Sequence, residues 1–171
     1  MDRTEQITEQ TPESSDRFDR ATIASMYSRL LQIETDTWDI YMAAGRKLHV
    51  TENELWILLE IFSSEKPFCQ ADLSRKLHLP VQTLNSALSK MTKKGWITLE
   101  SIPGSQKSKG IFLTEAGHQA TDPVLTQVRK AEQNAFESLG YAQAKAMLET
   151  IELYNNRFEK EMQERLRDIE L

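Results

Sequence analysis

The feature of this sequence that most limits its possible folds is a change of periodicity at Gly95. Before Gly95, apolar residues recur at the three- and four-residue steps of helices. After it they alternate over residues 97–99 and again over residues 111–113, with the turn-forming pair Pro103 and Gly104 between the two runs. The pattern therefore predicts helices followed by a β-hairpin with a polar tip.

Two short helices are predicted directly ahead of this hairpin. One is expected from about Gln70 to Leu77, and Pro80 opens the next at its first turn, where proline is tolerated. Gly95 ends the second helix just after two lysines, whose charges favour a helix C-terminus. Two short helices joined by a tight turn and followed by a hairpin are the order of elements in a winged helix-turn-helix.

The helix that starts at Pro80 has two faces of different chemistry. The face opposite the apolar one contains no large apolar residue and no acid. A surface helix that is merely solvated normally carries Glu or Asp on that face. The groups present here can donate to phosphates or pair with base edges. The apolar side, expected to face the core, consists of Val81, Leu84, Ala87, Leu88 and Met91. The DNA-binding residues predicted on this helix are Gln82, Thr83, Asn85, Ser86, Ser89, Lys90 and Lys93.

The distribution of charge favours one anion-binding face, although the formal net charge of the chain is -5. Between Lys66 and Gly110, eight Lys or Arg residues stand against only Asp72 and Glu100. Of the chain's 21 basic and 26 acidic residues, 13 and 24 therefore lie elsewhere. A basic block inside acidic flanks indicates a phosphate-binding surface with the acidic remainder turned away from it. An ordinary solvated surface is the alternative that charge alone leaves open.

The tip of the hairpin adds further candidate DNA contacts. Residues 103–110 contain two lysines and no acid. A basic loop that follows a recognition helix suits the negative potential of a DNA minor groove. The DNA-binding residues predicted in this loop are Ser105, Gln106, Lys107 and Lys109.

Long helices are predicted on both sides of this region. An apolar stripe of helical period runs from Phe18 to about Lys47, and another runs from Tyr141 to near the end, after a kink or restart at Pro123 and a break at Gly140. The predicted fold class is mainly α with a small β-hairpin wing. Its expected parts are a mobile polar tail (1–15), an N-terminal dimerisation helix (16–50), a winged helix-turn-helix DNA-binding region (51–117) and C-terminal dimerisation helices (118–171).

Four segments of the chain resemble the MarR family of winged helix-turn-helix transcriptional regulators. They are residues 73–77, 83–86, 93–97 and 111–117, and the long flanking helices extend the resemblance over about residues 18–168. The resemblance implies a homodimer built from the terminal helices, binding to a palindromic operator and relief of repression by a small, often aromatic, effector. The family's wing commonly carries an acid, a variable residue and an arginine; the corresponding residues here are Ser105, Gln106 and Lys107.

Four residues are candidates for an effector pocket. Aromatic side chains and one cation suit an aromatic acid, although core packing of two adjacent helices explains the same aromatic residues and is the favoured interpretation. The effector-binding residues predicted on this basis are Trp38, Tyr41, Arg46 and Trp56.

Other chemistry receives little support from the sequence. The single cysteine, Cys69, cannot form an intrachain disulfide, and a structural role is favoured over redox sensing. The three histidines lack metal-ligand spacing, so neither a metal nor another cofactor is expected. No nucleophile, general base and orienting group can be placed together in one site from the sequence, which argues against an enzyme. Without a signal peptide or an apolar stretch of about 18 residues, a soluble cytoplasmic protein is expected.

Two functions remain open from the sequence. The leading hypothesis is a sequence-specific DNA-binding regulator, most simply a repressor, whose partners are double-stranded DNA, a second copy of the chain and a small aromatic effector. The alternative is a winged-helix protein-protein interaction module without specific DNA binding, in which the lysines face an acidic partner. A steep salt dependence of binding to duplex DNA would distinguish the first from the second.

Overall fold

A computed structural model describes residues 18–101 and 109–169, so the predicted tail at residues 1–15 lies outside the described residues. The chain is mainly helical with one small antiparallel sheet, as the sequence predicts. Its helices are α1 (Arg20–Leu48), α2 (Glu52–Ser63), α3 (Gln70–Lys76), α4 (Val81–Lys93) and α5 (Glu115–Leu166), and its strands are β1 (Phe68–Cys69), β2 (Ile97–Ser101) and β3 (Lys109–Leu113).

The contacts divide the chain into two units, with the boundary between Ala43 and Ala44 inside α1. The described part of the first unit is the earlier part of α1, which begins after Asp19. The side chain of Asp19 accepts a hydrogen bond from the backbone N–H of Thr22 at 2.7 Å. This bond, reinforced by the Thr22 side chain, lowers the pKa of Asp19. An ionised carboxylate therefore satisfies a free backbone donor at the helix start.

The second unit contains the hydrophobic core. Helix α2 starts with a capping box, in which the Glu54 carboxylate accepts from the Thr51 backbone N–H at 3.0 Å. The fully buried side chains of the unit come from α2, α3, α4, the sheet and α5, so a single core joins the two short helices to the elements around them. They include Leu55, Ile57, Leu58, Leu73, Leu84, Leu88, Met91, Ile111 and Leu125.

The sheet has three strands in the order β1-β3-β2. Strands β2 and β3 form the predicted hairpin, with register from Ile97 opposite Leu113 to Ser101 opposite Lys109. Strand β1 was not predicted from the sequence. It has two residues and pairs antiparallel with β3, where Phe68 faces Ile111. It ties the start of α3 to the root of the hairpin.

Helix α5 follows the hairpin directly. The Thr114 hydroxyl accepts from the backbone N–H of Gly117 at 2.9 Å and caps the helix. The break predicted at Gly140 is confirmed, because this residue has φ 71° and ψ 157°. At Pro123, where a kink or a restart is predicted, the helix does not restart, since the backbone around Pro123 stays helical. Proline there removes only one helical donor, and the neighbouring turns maintain the helix. In residues 18–101 and 109–169, no helix is long and apolar enough to cross a membrane.

Candidate nucleic-acid interface

A tight turn sets the start of α4 relative to α3. His78 has φ 50°, and the next residue, Leu79, donates its N–H to the Ser74 carbonyl at 3.0 Å. The Ser74 hydroxyl donates in return to the Leu79 carbonyl at 2.6 Å. This is a Schellman-type helix end with a left-handed residue at its pivot. Pro80 follows immediately and fixes the backbone at the N-cap of α4.

Helix α4 presents a polar surface to solvent, as predicted. Four of the five residues expected in the core are buried: Leu84, Ala87, Leu88 and Met91. Of the predicted DNA-binding residues, Thr83 is half-buried at the margin. The exposed ones are Gln82, Asn85, Ser86, Ser89, Lys90 and Lys93, so one continuous face contains amides, hydroxyls and ammonium groups and no carboxylate.

The fifth predicted core residue is exposed. Val81 retains 59% of its accessible surface, which corrects its assignment to the inward face. On the helical wheel Val81 lies at the margin of the apolar stripe, and it occupies the first turn of α4, just beyond the α3–α4 turn. The core covers Leu84 one turn later but does not reach Val81. An apolar side chain therefore lies beside the polar face.

Three of the basic residues that form the positive block are engaged within the protein. Arg75 pairs with Asp72 on the same helix. Lys76 forms an ion pair with Glu60 at 2.8 Å and lies 5.4 Å from the centre of the Phe68 ring. Both side chains are exposed, and each already pairs with a carboxylate of the fold.

Lys94 is the third engaged cation. Its Nζ donates to the His49 carbonyl at 3.2 Å and lies 4.5 Å from the centre of the Trp96 ring. The hydrogen bond satisfies a carbonyl at the end of α1, and the ring contact is a cation–π interaction. Lys94 thus joins the end of α4 to the end of α1.

Three candidate lysines within the described residues, Lys90, Lys93 and Lys109, are exposed. Within the described part of the chain, Lys90, Lys93 and Lys109 form no ion pair and their side chains form no hydrogen bond. Lys90 and Lys93 lie on the last turn of α4, and Lys109 begins β3 opposite Ser101. Because no acid of the described residues pairs with them, these ammonium groups can contact an external anion.

The end of α4 is fixed against the hairpin and α5. Gly95 has φ 73°, and the N–H of Trp96 donates to the Met91 carbonyl at 3.0 Å. Thr114 donates its N–H to Trp96 at 2.9 Å and its hydroxyl to the Gly95 carbonyl at 2.5 Å. Gly117 approaches the Trp96 backbone so closely that a Cβ there would overlap the carbonyl oxygen. Helix α4, the hairpin root and the start of α5 are therefore joined by hydrogen bonds and close packing.

The predicted contacts at the wing tip are described only in part. Lys109 is placed at the root of the hairpin and is exposed. Ser105, Gln106 and Lys107 lie outside the described residues, so they remain predictions from the sequence.

The predicted effector residues lie on α1 and α2. Trp38 and Tyr41 are one turn apart on α1, and Arg46 follows on the same helix. Trp56, on α2, donates its indole N–H to Glu52 at 3.4 Å. A cavity of about 250 Å³ lies elsewhere in the second unit and is lined by none of these four side chains. It lies between the end of α2, the β1–β3 edge and the start of α5, with Phe62, Phe68, Leu113 and His118 among its walls.

Cys69 occupies the N-cap of α3. Its sulfur accepts from the Asp72 N–H at 3.4 Å and lies 3.0 Å from the Asp72 carboxylate. These contacts give the thiol a local structural role at the helix start. Among the residues that the structure describes, no group of His, Cys, Asp and Glu is arranged to hold a metal ion.

Comparison with known proteins identifies the same region. The family described as winged helix-turn-helix DNA-binding matches residues 58–98, which extend from α2 through the recognition helix into β2. Comparison with curated protein sequences gave no match.

Solved structures of similar fold cover most of the chain. A MarR family regulator from Neisseria meningitidis is 16% identical, with a TM-score of 0.61 over 86% of this chain and 99% of that one. Staphylococcus aureus MarR, solved with salicylate and kanamycin, is 18% identical, with a TM-score of 0.56 over 88% and 96% of the two chains. NadR, solved with 4-hydroxyphenylacetate, is 16% identical, with a TM-score of 0.58 over 85% and 96%. At these identities the similarity is one of fold, and it extends well beyond the winged helix-turn-helix.

Proposed function

We propose that this chain, a winged helix-turn-helix protein with the MarR fold, is a sequence-specific DNA-binding transcriptional regulator. One observation carries the proposal: apart from Val81 at its start, the exposed surface of α4 has only amides, hydroxyls and ammonium groups that pair with no acid of the described residues. The hydrogen bonds of the α3–α4 turn and of the Trp96 backbone set the position of that face in the fold. Duplex DNA is a ligand that requires both phosphate-neutralising charge and groups complementary to base edges.

Base reading is assigned to the N-terminal half of α4. In winged helix-turn-helix proteins the recognition helix enters the major groove with its N-terminal residues toward the bases. Gln82 and Asn85 suit adenine, and Ser86 suits several bases. Lys90, Lys93 and Lys109 contribute mainly phosphate contacts, with Ser105, Gln106 and Lys107 as further predicted contacts of the wing. One part of the surface thus reads the DNA sequence, and another part binds the DNA phosphate backbone.

The functional form is proposed to be a homodimer on a palindromic operator. Two recognition helices related by a twofold axis reach successive major grooves when their centres are about 34 Å apart. The exposed apolar stripe on the second half of α5 supports self-association, because such a surface needs cover in water. Bound at a promoter, this dimer represses transcription by occupying it, and a chromosomal operator places the protein in the cytoplasm.

Release of the operator by a small aromatic acid is the proposed regulatory input. Among proteins of this fold, S. aureus MarR was solved with salicylate and NadR with 4-hydroxyphenylacetate. In this chain the candidate contacts remain Trp38, Tyr41, Arg46 and Trp56, where aromatic rings and one guanidinium suit that ligand class.

Fluorescence anisotropy with the full-length protein tests DNA binding. The probe is the duplex upstream of the chain's own coding region, and a shuffled duplex of equal composition is the control. We expect preferential binding to the native duplex, and log Kd rising linearly with log salt concentration as counterions are released. Equal and weak binding to both duplexes would instead support the alternative, a protein-docking module.

The same assay separates base reading from phosphate binding. Gln82→Ala and Ser86→Ala should each lose about 1–3 kcal/mol of discrimination at a given base pair and leave the salt slope nearly unchanged. Salicylate and 4-hydroxyphenylacetate, added at millimolar concentration, should release the duplex, and cyclohexanecarboxylate is the non-aromatic control. Unchanged operator selectivity in both alanine variants would remove α4 from its reading role.

A further inference from the structure

Val81 is an isolated exposed apolar side chain in an otherwise well-covered region. Among the described residues from 41 to 135, it is the only large apolar side chain in the exposed class. All the others in that class lie at or before Ile40, or at or after Phe136, on the long terminal helices. The exposure of Val81 is therefore a local property of the recognition helix and is not shared by the rest of the winged helix-turn-helix.

Val81 lies at the N-terminal end of α4, the end that contacts bases in helix-turn-helix proteins. Val81 is the first residue of α4, adjacent to Gln82 and one helical turn before Asn85, both of which are exposed. The N-terminal residues of a recognition helix are those that contact base edges. No carboxylate lies on the exposed face of α4, so nothing in the helix repels DNA from this corner.

We propose that Val81 reads a thymine, by contact of its isopropyl group with the thymine C5-methyl group in each half-site. This inference rests on the proposed DNA-binding function and specifies what the site recognises. The major-groove edge of thymine is the only one of the four that presents a methyl group, and apolar side chains recognise it by contact. The contact removes both apolar groups from water. Cytosine has no methyl group at this position, so Val81 gains no such contact with it.

The helix geometry also limits where the neighbouring base lies. Val81 and Asn85 are four residues apart, a rise of about 6 Å along α4. Base pairs are spaced about 3.4 Å apart. Asn85, whose amide pairs bidentately with adenine, therefore reaches a base within about two pairs of the thymine. Each half-site is expected to contain a thymine and an adenine at this spacing.

Replacement of thymine by uracil tests the proposal because it removes only the methyl group. Duplexes are first selected from a randomised pool with the full-length protein, and each thymine of the consensus is then replaced in both half-sites. At one thymine per half-site we expect affinity to fall about fourfold for each methyl removed, the value for one buried methylene-sized group. At the other thymines we expect little change.

Variants of the protein then assign that sensitivity to Val81. Val81→Ala should weaken binding to the thymine duplex and show no further loss on the uracil duplex. Thr92→Ala, eleven residues along and close to the same helical face, should keep the uracil sensitivity of the parent chain. Thermal unfolding and the salt slope should match the parent for both variants, which shows that folding and phosphate contacts are intact.

The possible results separate this inference from the function on which it rests. If no thymine is sensitive to loss of its methyl group, or if Val81→Ala keeps the full sensitivity, Val81 does not read thymine although the protein still binds specifically. A uniform loss of affinity for every duplex in Val81→Ala also overturns the inference. Failure of the selection to enrich any sequence contradicts the proposed function itself.

Discussion

Lys93 and Lys94 are adjacent in the chain and similar in exposure, but their surroundings differ. Lys94 donates to the His49 carbonyl and lies over the Trp96 ring. Lys93 forms no such contact within the described part of the chain. The composition of the basic block therefore overstates the number of charges available to DNA, because some of them stabilise the fold.

This difference predicts opposite phenotypes for the two alanine variants. Lys93→Ala should weaken binding to all duplexes and lower the salt slope by about one unit per protomer, with unfolding unchanged. Lys94→Ala should lower the free energy of unfolding by about 0.5–1 kcal/mol, the value of an exposed cation–π contact, with less effect on the slope. Anisotropy titrations and urea unfolding measure the two quantities. If the two variants behave alike in both assays, the assignment is wrong.

Gly117 allows a second prediction at the residue scale. A Cβ at this position would overlap the carbonyl oxygen of Trp96, which is backbone and cannot rotate away. Gly117→Ala should therefore destabilise the protein, near the upper end of the roughly 1–3 kcal/mol seen for overpacking. Helix propensity alone predicts the reverse sign, a gain of about 1 kcal/mol. Urea unfolding decides between them, with Ala120→Ser, an exposed change on the same helix, as the neutral control.

At the scale of elements, the sequence predicts those features that depend on residues close to one another in the chain. The recognition helix, the hairpin and the break at Gly140 follow from periodicity, proline and glycine, and the structure contains all three. Strand β1 could not be found in this way, because its two residues pair with a strand more than 40 positions away. The exposure of Val81 was missed for the same reason, since only the tertiary core decides which margin of a helical stripe is covered.

The break in α5 leads to a prediction about helix geometry. Gly140 has φ 71° and ψ 157°, a backbone conformation that residues other than glycine rarely adopt. A Cβ added at this position would meet no atom within 4 Å. Gly140→Ala should therefore cost about 1–3 kcal/mol from backbone strain alone, without any clash. Thermal unfolding at fixed protomer concentration measures the cost, and Glu137→Ala, exposed on the preceding turn, is the control. A stabilised Gly140→Ala variant would show that α5 can run straight through this position.

At the scale of the whole molecule, the apolar surface is distributed unevenly. The winged helix-turn-helix covers nearly all of its large apolar side chains, whereas both terminal helices leave many exposed. On the second half of α5 the exposed residues recur at helical spacing and form one stripe, which includes Met147, Leu148, Ile151, Tyr154, Phe158 and Met162. A contiguous stripe of this length indicates a surface that another chain covers.

The last prediction concerns that stripe and the oligomeric state. Ile151 lies within it, and in a twofold interface a substitution there acts on both subunits at once. Ile151→Asp places an unpaired carboxylate in each half of the apolar contact, and its desolvation should weaken dimerisation by about 100-fold or more. Glu152→Lys changes the charge at the next residue, about 100° around the helix and off the stripe, and should leave association nearly unchanged. Sedimentation velocity at about 10 μM protein compares the three chains. A parent chain that sediments as a monomer would exclude the dimer, and equal dimerisation of Ile151→Asp and the parent would remove this face of α5 from the interface.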